Sequence, residues 1–248
     1  MRIRFLLFLC LSLPLALAAQ TSLNQTDAKG RKQGQWRKTY ADGTLRYEGT
    51  FKDDQPEGIF RYYTETGVLR TVMFYYDKGR KSRSKTVNPK GVVLSEGNYS
   101  GKEQKDSVWT YYNDSSQVLS REAWQAGKKH GSETVYFPQS GKVLEELQWK
   151  NGQKDGPWKQ YFESGQVKVQ GVYVAGQLQG KVSYFHPNGK PKATGIYQNN
   201  VREGTWYYFE ETGALKGTEI FKNGVSEKPL LINTDKPEEE IREPLPGQ

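Results

Sequence analysis

The chain repeats itself, and the period decides what it can become. Eight units begin at Gly34, Gly58, Ser82, Ser107, Gly131, Gly156, Gly180 and Gly204, spaced by 24 or 25 residues. The clearest copy, Gly156-Pro157-Trp158-Lys159-Gln160-Tyr161-Phe162-Glu163-Ser164-Gly165, returns as Gly204-Thr205-Trp206-Tyr207-Tyr208-Phe209-Glu210-Glu211-Thr212-Gly213. An aliphatic residue follows the turn in most units (Leu45, Leu69, Val93, Val118, Val143, Val167, Leu215), and an aromatic closes the second half (Phe51, Tyr75, Tyr99, Trp124, Trp149, Tyr173, Tyr197, Phe221). A second turn, at Gly79, Gly101, Gly127, Gly152, Gly176 and Gly224 with Asp54 and Asn200 standing in, separates the units. A unit this short buries little by itself, so the copies must stack on one another.

Each unit reads as a β-hairpin. Aromatic and β-branched residues favour a pleated strand, and Asp42-Gly43, Ser164-Gly165 and Asn188-Gly189 are hairpin-turn pairs. Treating these pairs as two-residue turns sets Trp36 opposite Gly49, Trp158 opposite Gly171 and Val182 opposite Gly195, with each indole lying over the glycine it faces. A lone hairpin is marginal in water. The expected fold is therefore all-β, an elongated single-layer antiparallel sheet of about eight stacked hairpins, on the order of 75 Å long at ~4.8 Å per strand. The composition agrees: 35% hydrophobic residues are few for a two-layer core, and 13% aromatics are too many for a disordered chain.

The ends differ from the body. Residues 1–19 read as a secretory signal peptide, with Arg2 and Arg4 before the apolar run Phe5 to Leu17 and small residues at Ala16 and Ala18. This predicts export through a cleaved signal, to the periplasm, the outer membrane or the medium. Residues 20–33 read as a half unit that caps the array, 34–226 as the eight repeats, and 227–248 as an acidic, proline-bearing, disordered tail in which Leu230-Leu231-Ile232 adds a last strand.

The periodic Gly-x-Trp-x-x-Tyr-Tyr outline, followed by an aromatic and a second glycine turn, resembles the MORN repeat in its bacterial variant. Several bacterial chains of this kind carry a YwqK-family antitoxin label, which fits a signal peptide poorly. The resemblance implies a scaffold or binding module without enzymatic activity of its own. The unit from Ser82 departs most from the outline, with Ser84 and Val87 where aromatics are expected.

No catalytic constellation stands out. One cysteine, lost with the signal, and two histidines exclude a disulfide framework and give no metal site or cofactor. His130 and His186 fall at different phases of the repeat, and Glu57, Asp106, Asp155 and Glu203 recur just before unit starts, where carboxylates bond turn N–H groups. Trp36, Trp109, Tyr111, Trp158, Trp206 and Tyr208 share one phase and form the candidate binding face, while Tyr112, Tyr161 and Phe209 point the other way. The rings either replace a missing second layer or bind a protein partner or a glycan. Net charge is +8, and the one dense basic run, with Arg80, Lys81, Arg83 and Lys85, is a candidate patch for anionic lipid or polysaccharide; nucleic acid is not expected for an exported chain. The leading expectation is an exported protein-interaction scaffold at the bacterial envelope, and the alternative is a module for envelope glycan or anionic lipid head groups.

Overall fold

A computed structural model describes residues 22–101 and 103–232, and these form one open antiparallel sheet of nineteen strands with no helix among the described residues. The expected signal peptide and the tail beyond residue 232 lie outside the described residues. Each strand bonds to its neighbours in the chain, from Gln25–Thr26 beside Lys32–Thr39 to Leu215–Lys222 beside Val225–Ile232. That last strand takes in residues 227–232, the start of the segment expected as disordered tail. One position in the sheet is shared by two short strands, Gln153–Lys154 and Gly156–Tyr161, both against Val143–Lys150.

In six of the eight units the two-residue connection is the second turn and not, as expected, the first; the second turn has four residues between Tyr76 and Lys81 and three between Ser100 and Gln104. In the first unit Lys52 pairs with Gln55, and the residues between, Asp53 and Asp54, have φ of 52° and 66°. Positive φ at both central residues is the type I′ signature, whose twist suits a hairpin. The first turn is longer. The Tyr40 N–H donates to the Thr44 carbonyl at 2.8 Å, and Thr39 pairs with Leu45. Arg46 then bulges out, so that Lys38 faces Tyr47. The bulge absorbs the extra residue of the turn, and beyond it the pairing is the one a two-residue turn would give. Trp36 faces Gly49, Trp158 faces Gly171 and Val182 faces Gly195.

A second irregularity builds the core. Between the pairs Thr50–Glu57 and Glu48–Arg61, residues 58–60 face Gly49 alone, with Gly58 at φ +71°. The extra residues push the Phe60 ring across the sheet onto Gly49, where a Cβ would come within 2.4 Å of a ring carbon. The same arrangement seats Trp109 on Gly97 and Trp206 on Gly195. The ring over each of these glycines thus comes from the next unit, not from the hairpin partner, because the bulge moves the following strand's ring into the gap. Ser82 breaks this pattern: the strands Leu69–Tyr76 and Lys81–Val87 pair without a shift from Thr71–Thr86 to Tyr76–Lys81.

Alternation along every strand separates two faces. The inner one holds the buried clusters Phe60–Met73–Tyr75, Val169–Leu178–Val182 and Ala193–Trp206–Phe221. Rings of neighbouring units meet edge to face, as Phe51 with Phe60 at 5.1 Å and Tyr197 with Trp206 at 5.3 Å between centroids. Each such pair contributes about 0.5–1.5 kcal/mol beyond burial, which is how a single layer replaces a second one.

Candidate binding surfaces

All six residues of the candidate aromatic face lie on the inner side, but they are not equally available. Trp206 and Trp109 are 0% and 3% exposed and belong to the interior. Trp36, Trp158, Tyr111 and Tyr208 are half-buried. The idea that this face presents its indoles to a ligand is corrected at Trp109 and Trp206, since the glycine seats draw both rings into the sheet.

A row of cations that charge counting overlooks runs beside these rings. The residue two before the unit start is Lys32, Arg80, Lys105, Lys129, Lys154 or Arg202 in six of the eight units, with Pro56 and Leu178 in the others. Five of the six stand over aromatic rings: Lys32 lies 4.6 Å from the Phe51 centroid, Lys105 4.6 Å from Trp109, Lys129 4.8 Å from Trp149, Lys154 5.0 Å from Tyr173 and Arg202 4.6 Å from Trp206. Cation–π attraction of this kind stabilises by about 0.5–2 kcal/mol, more when water is kept out. The signal was present in the sequence as a common phase.

Two neighbours in this row differ in charge environment. Lys129 Nζ bridges Glu122 at 3.1 Å and Glu133 at 2.9 Å. Burial works against its charge, but the two carboxylates outweigh this and raise its pKa. Lys105 instead donates to the Tyr111 hydroxyl at 2.5 Å, and burial pushes its pKa down. Indole N–H groups complete the satisfaction of the inner carboxylates, Trp149 donating to Glu133 at 2.6 Å and Trp158 to Glu145 at 2.8 Å.

The outer face is of another kind. Tyr112 and Tyr161 point there as expected, donating to Glu96 at 2.7 Å and Glu146 at 2.6 Å, and Tyr63 does the same to Glu48 at 3.0 Å. Lys81, Arg83 and Lys85 of the basic run are exposed on this face, with Lys85 paired to Glu96 at 3.1 Å; Arg80 sits apart in a turn, paired to Asp77. Ser82 and Ser84 between them turn inward and are buried. Beside the charges, large apolar side chains stay open to solvent: Ile59 49%, Phe74 51%, Val108 52% and Ile196 53% exposed. Ile59 and Phe74 are direct cross-strand partners.

Asp155 and Glu203 accept the backbone N–H groups of Ala175 at 3.1 Å and Asn223 at 2.8 Å, the turn-bonding role expected of them. His186 Nε2 lies 2.9 Å from the Phe209 carbonyl, one unit on. Among the described residues no group of three or more His, Cys, Asp or Glu is placed to hold a metal.

Two recesses open at the first-turn end of the inner face. One, of about 490 Å³, lies where the unit from Ser82 lacks rings, so that Ser84 and Thr86 floor it and Tyr62 and Tyr99 wall it. The other, of about 420 Å³, has Tyr184, Trp206 and Tyr208 in its lining. The bulged residue of each first turn stands at this end: Arg46, Arg70, Leu94, Leu119, Leu144, Lys168, Lys192 and Lys216 in order. Arg46 and Arg70 line the first recess, Lys168 and Lys192 the second.

No curated protein matches the sequence. Among solved structures, similarity extends to a mutant of Staphylococcus aureus TarM in complex with fondaparinux, alpha-GlcNAc-glycerol and UDP, at 11% identity and a TM-score of 0.30 over 40% of this chain and 19% of that one. A second is TcdB2-TccC3, at 10% identity and a TM-score of 0.20 over 79% of this chain and 15% of that one. The chain therefore spans less than a fifth of either. The family model for the MORN repeat variant matches residues 32–53, 154–175, 178–199 and 202–223, each segment opening on the position two before a unit start. The matches fall on the first and the last three of the eight hairpins, and the four hairpins between them have the same antiparallel hairpin form.

Proposed function

We propose that the protein is an exported, non-enzymatic scaffold of the bacterial envelope that holds a protein partner against the outer face of its sheet. One observation carries the reading. The inner rings are engaged with each other and with cations, whereas Ile59, Phe74, Val108 and Ile196 are about half exposed on a face that no other described residue covers. Apolar side chains left open among charges, as here beside Arg61 and Arg83, are typical of contact surfaces. MORN repeats are in general protein- or membrane-binding modules, which agrees. The polar row along the same face, with Arg37, Glu48 and Arg61 paired across strands, supplies orientation instead of affinity. Export rests on residues 1–19 of the sequence.

The test is photo-crosslinking in intact cells, with a photoreactive residue at Ile59 or Val108 on the outer face and at Lys38 on the inner one. Discrete protein adducts from the outer positions, recovered with the envelope fraction, are expected. Adducts confined to the inner position, or found only with cytoplasmic material, would overturn the assignment.

A further inference from the structure

The two inner recesses are copies of one design. Tyr40, Arg46, Tyr62 and Arg70 in the first correspond to Phe162, Lys168, Tyr184 and Lys192 in the second, at a constant offset of 122 residues. In each recess a first-turn side chain also reaches a carbonyl of the following unit, the Tyr40 hydroxyl donating to the Tyr63 carbonyl at 2.8 Å in the first and His186 Nε2 lying 2.9 Å from the Phe209 carbonyl in the second, there one unit beyond the position that the offset gives. Both volumes fall in the range of about 300–1,000 Å³ typical of small-ligand sites. None of the four bulge-borne cations makes an ion pair among the described residues, whereas Lys216, the last of the series, is held by Glu210 at 3.5 Å. One carboxylate rims each recess, Glu103 and Glu211, so the cations outnumber it in both.

We propose that these recesses are paired subsites for an acidic polysaccharide, each seating one charged sugar against a phenol ring, with its carboxylate facing two bulge-borne cations. Ring faces suit the C–H face of a sugar, and Ser84, Thr86 and Glu103 in the first recess offer partners to its hydroxyls. Five units, or ten strand positions, separate the recesses, on the order of 50 Å at ~4.8 Å per strand. A long polyanion can therefore engage both, and the second contact becomes intramolecular. A bilayer fits less well. The bulge residues between the recesses, Leu94, Leu119 and Leu144, are half-buried and form no wedge for a membrane, and the cations gather at two points instead of spreading over a plane. This inference concerns the inner face and does not depend on the partner of the outer one.

The test measures binding of the full mature chain to polygalacturonate long enough to span both recesses, to a short oligogalacturonate, to a neutral glucan, to phosphatidylglycerol vesicles and to single-stranded DNA. The variants are Arg46→Gln/Arg70→Gln, Lys168→Gln/Lys192→Gln and the charge-matched outer-face pair Lys81→Gln/Arg83→Gln, all at exposed positions and checked for an unchanged circular dichroism spectrum. The short oligomer should bind two per chain, falling to one in either recess variant. The long chain should lose about tenfold or more in affinity with either recess variant and about twofold or less with the outer pair. Equal losses in all three variants, an unchanged stoichiometry, or vesicles or DNA bound as tightly as the polyuronate would overturn it.

Discussion

Substituting alanine for Gly195 tests how a single layer makes an interior. Gly195 sits in mid-strand with ordinary backbone dihedrals, so alanine there brings no conformational penalty of its own. The added Cβ would lie only 2.3 Å from two carbons of the Trp206 indole. That ring is 0% exposed and is held by Tyr197 at 5.3 Å and by Tyr184 and Phe221 at 6.2 Å, so it has nowhere to retreat. Overpacking usually costs about 1–3 kcal/mol, and a clash with a locked ring belongs at the upper end, about 3 kcal/mol. In a chain of this size that lowers the melting temperature by about 6–12 °C. Calorimetry on Gly195→Ala, Trp206→Leu and the double variant gives the coupling. Alanine should cost about 2 kcal/mol less once the indole is gone. Gly171→Ala meets Val182 at 3.0 Å, Leu178 at 3.2 Å and the Trp158 ring at 3.5 Å, all further off than the indole at Gly195, and should cost about 1 kcal/mol. If Gly195→Ala melts with the parent, or costs as much in the Trp206→Leu background as beside the indole, the glycine seat is not what holds the units together.

Other consequences follow from the same packing. Trp206→Ala should destabilise by about 3–5 kcal/mol and Trp36→Ala, half-buried near the end of the array, by about 1–2 kcal/mol, read as urea midpoints. Alkaline pH should unfold the protein. Burial, then the hydrogen bonds to Glu146 and Glu219, push the Tyr161 and Tyr208 phenols up to about 12 from 10.0. A phenol whose pKa is higher folded than unfolded stabilises fully below pH 10 and loses that contribution as pH rises towards 12. Phenolate absorbance from these residues should therefore appear together with loss of the strand signal; their titration near pH 10 in a folded chain would contradict this.

Much of the architecture is legible from spacing alone, and the reason is the bulge. A longer first turn would normally shift every pair, but the residue that bulges, Arg46 in the first unit, removes the shift, so turn arithmetic gives the true partners of Trp36 and Trp158. The same arithmetic puts Trp36 over Gly49, where Phe60 lies, and gives no sign of Trp206 over Gly195. It treats strands as regular, whereas residues 204–206 crowd opposite Gly195 alone and carry the indole one unit further. A glycine at the unit start does not by itself mark such crowding, because Ser107 takes the same positive φ, at 60°, and residues 107–109 crowd opposite Gly97. At Ser82, which lacks the positive φ, the strands run straight and a recess opens in the ring ladder.

Charge was the property hardest to read, because in a repeat sheet nearness in sequence and nearness in space part company. Lys105, Lys129 and Lys154 are 24 or 25 residues apart and look dispersed among acids, yet the Trp124 ring lies between the first two, 4.7 Å from Lys105 and 5.9 Å from Lys129. The one run that looks concentrated, Lys81-Ser82-Arg83-Ser84-Lys85, puts its cations on the outer face, alternating with serines buried on the inner one. Each repeat phase becomes a row across the sheet, so the chemistry of a row is changed one unit at a time. At the first-turn bulge that row reads arginine in two units, leucine in three and lysine in three. The sheet is continuous through all of them, and the ends of its inner face differ from its middle because of which side chain each bulge presents, not because of any change in fold.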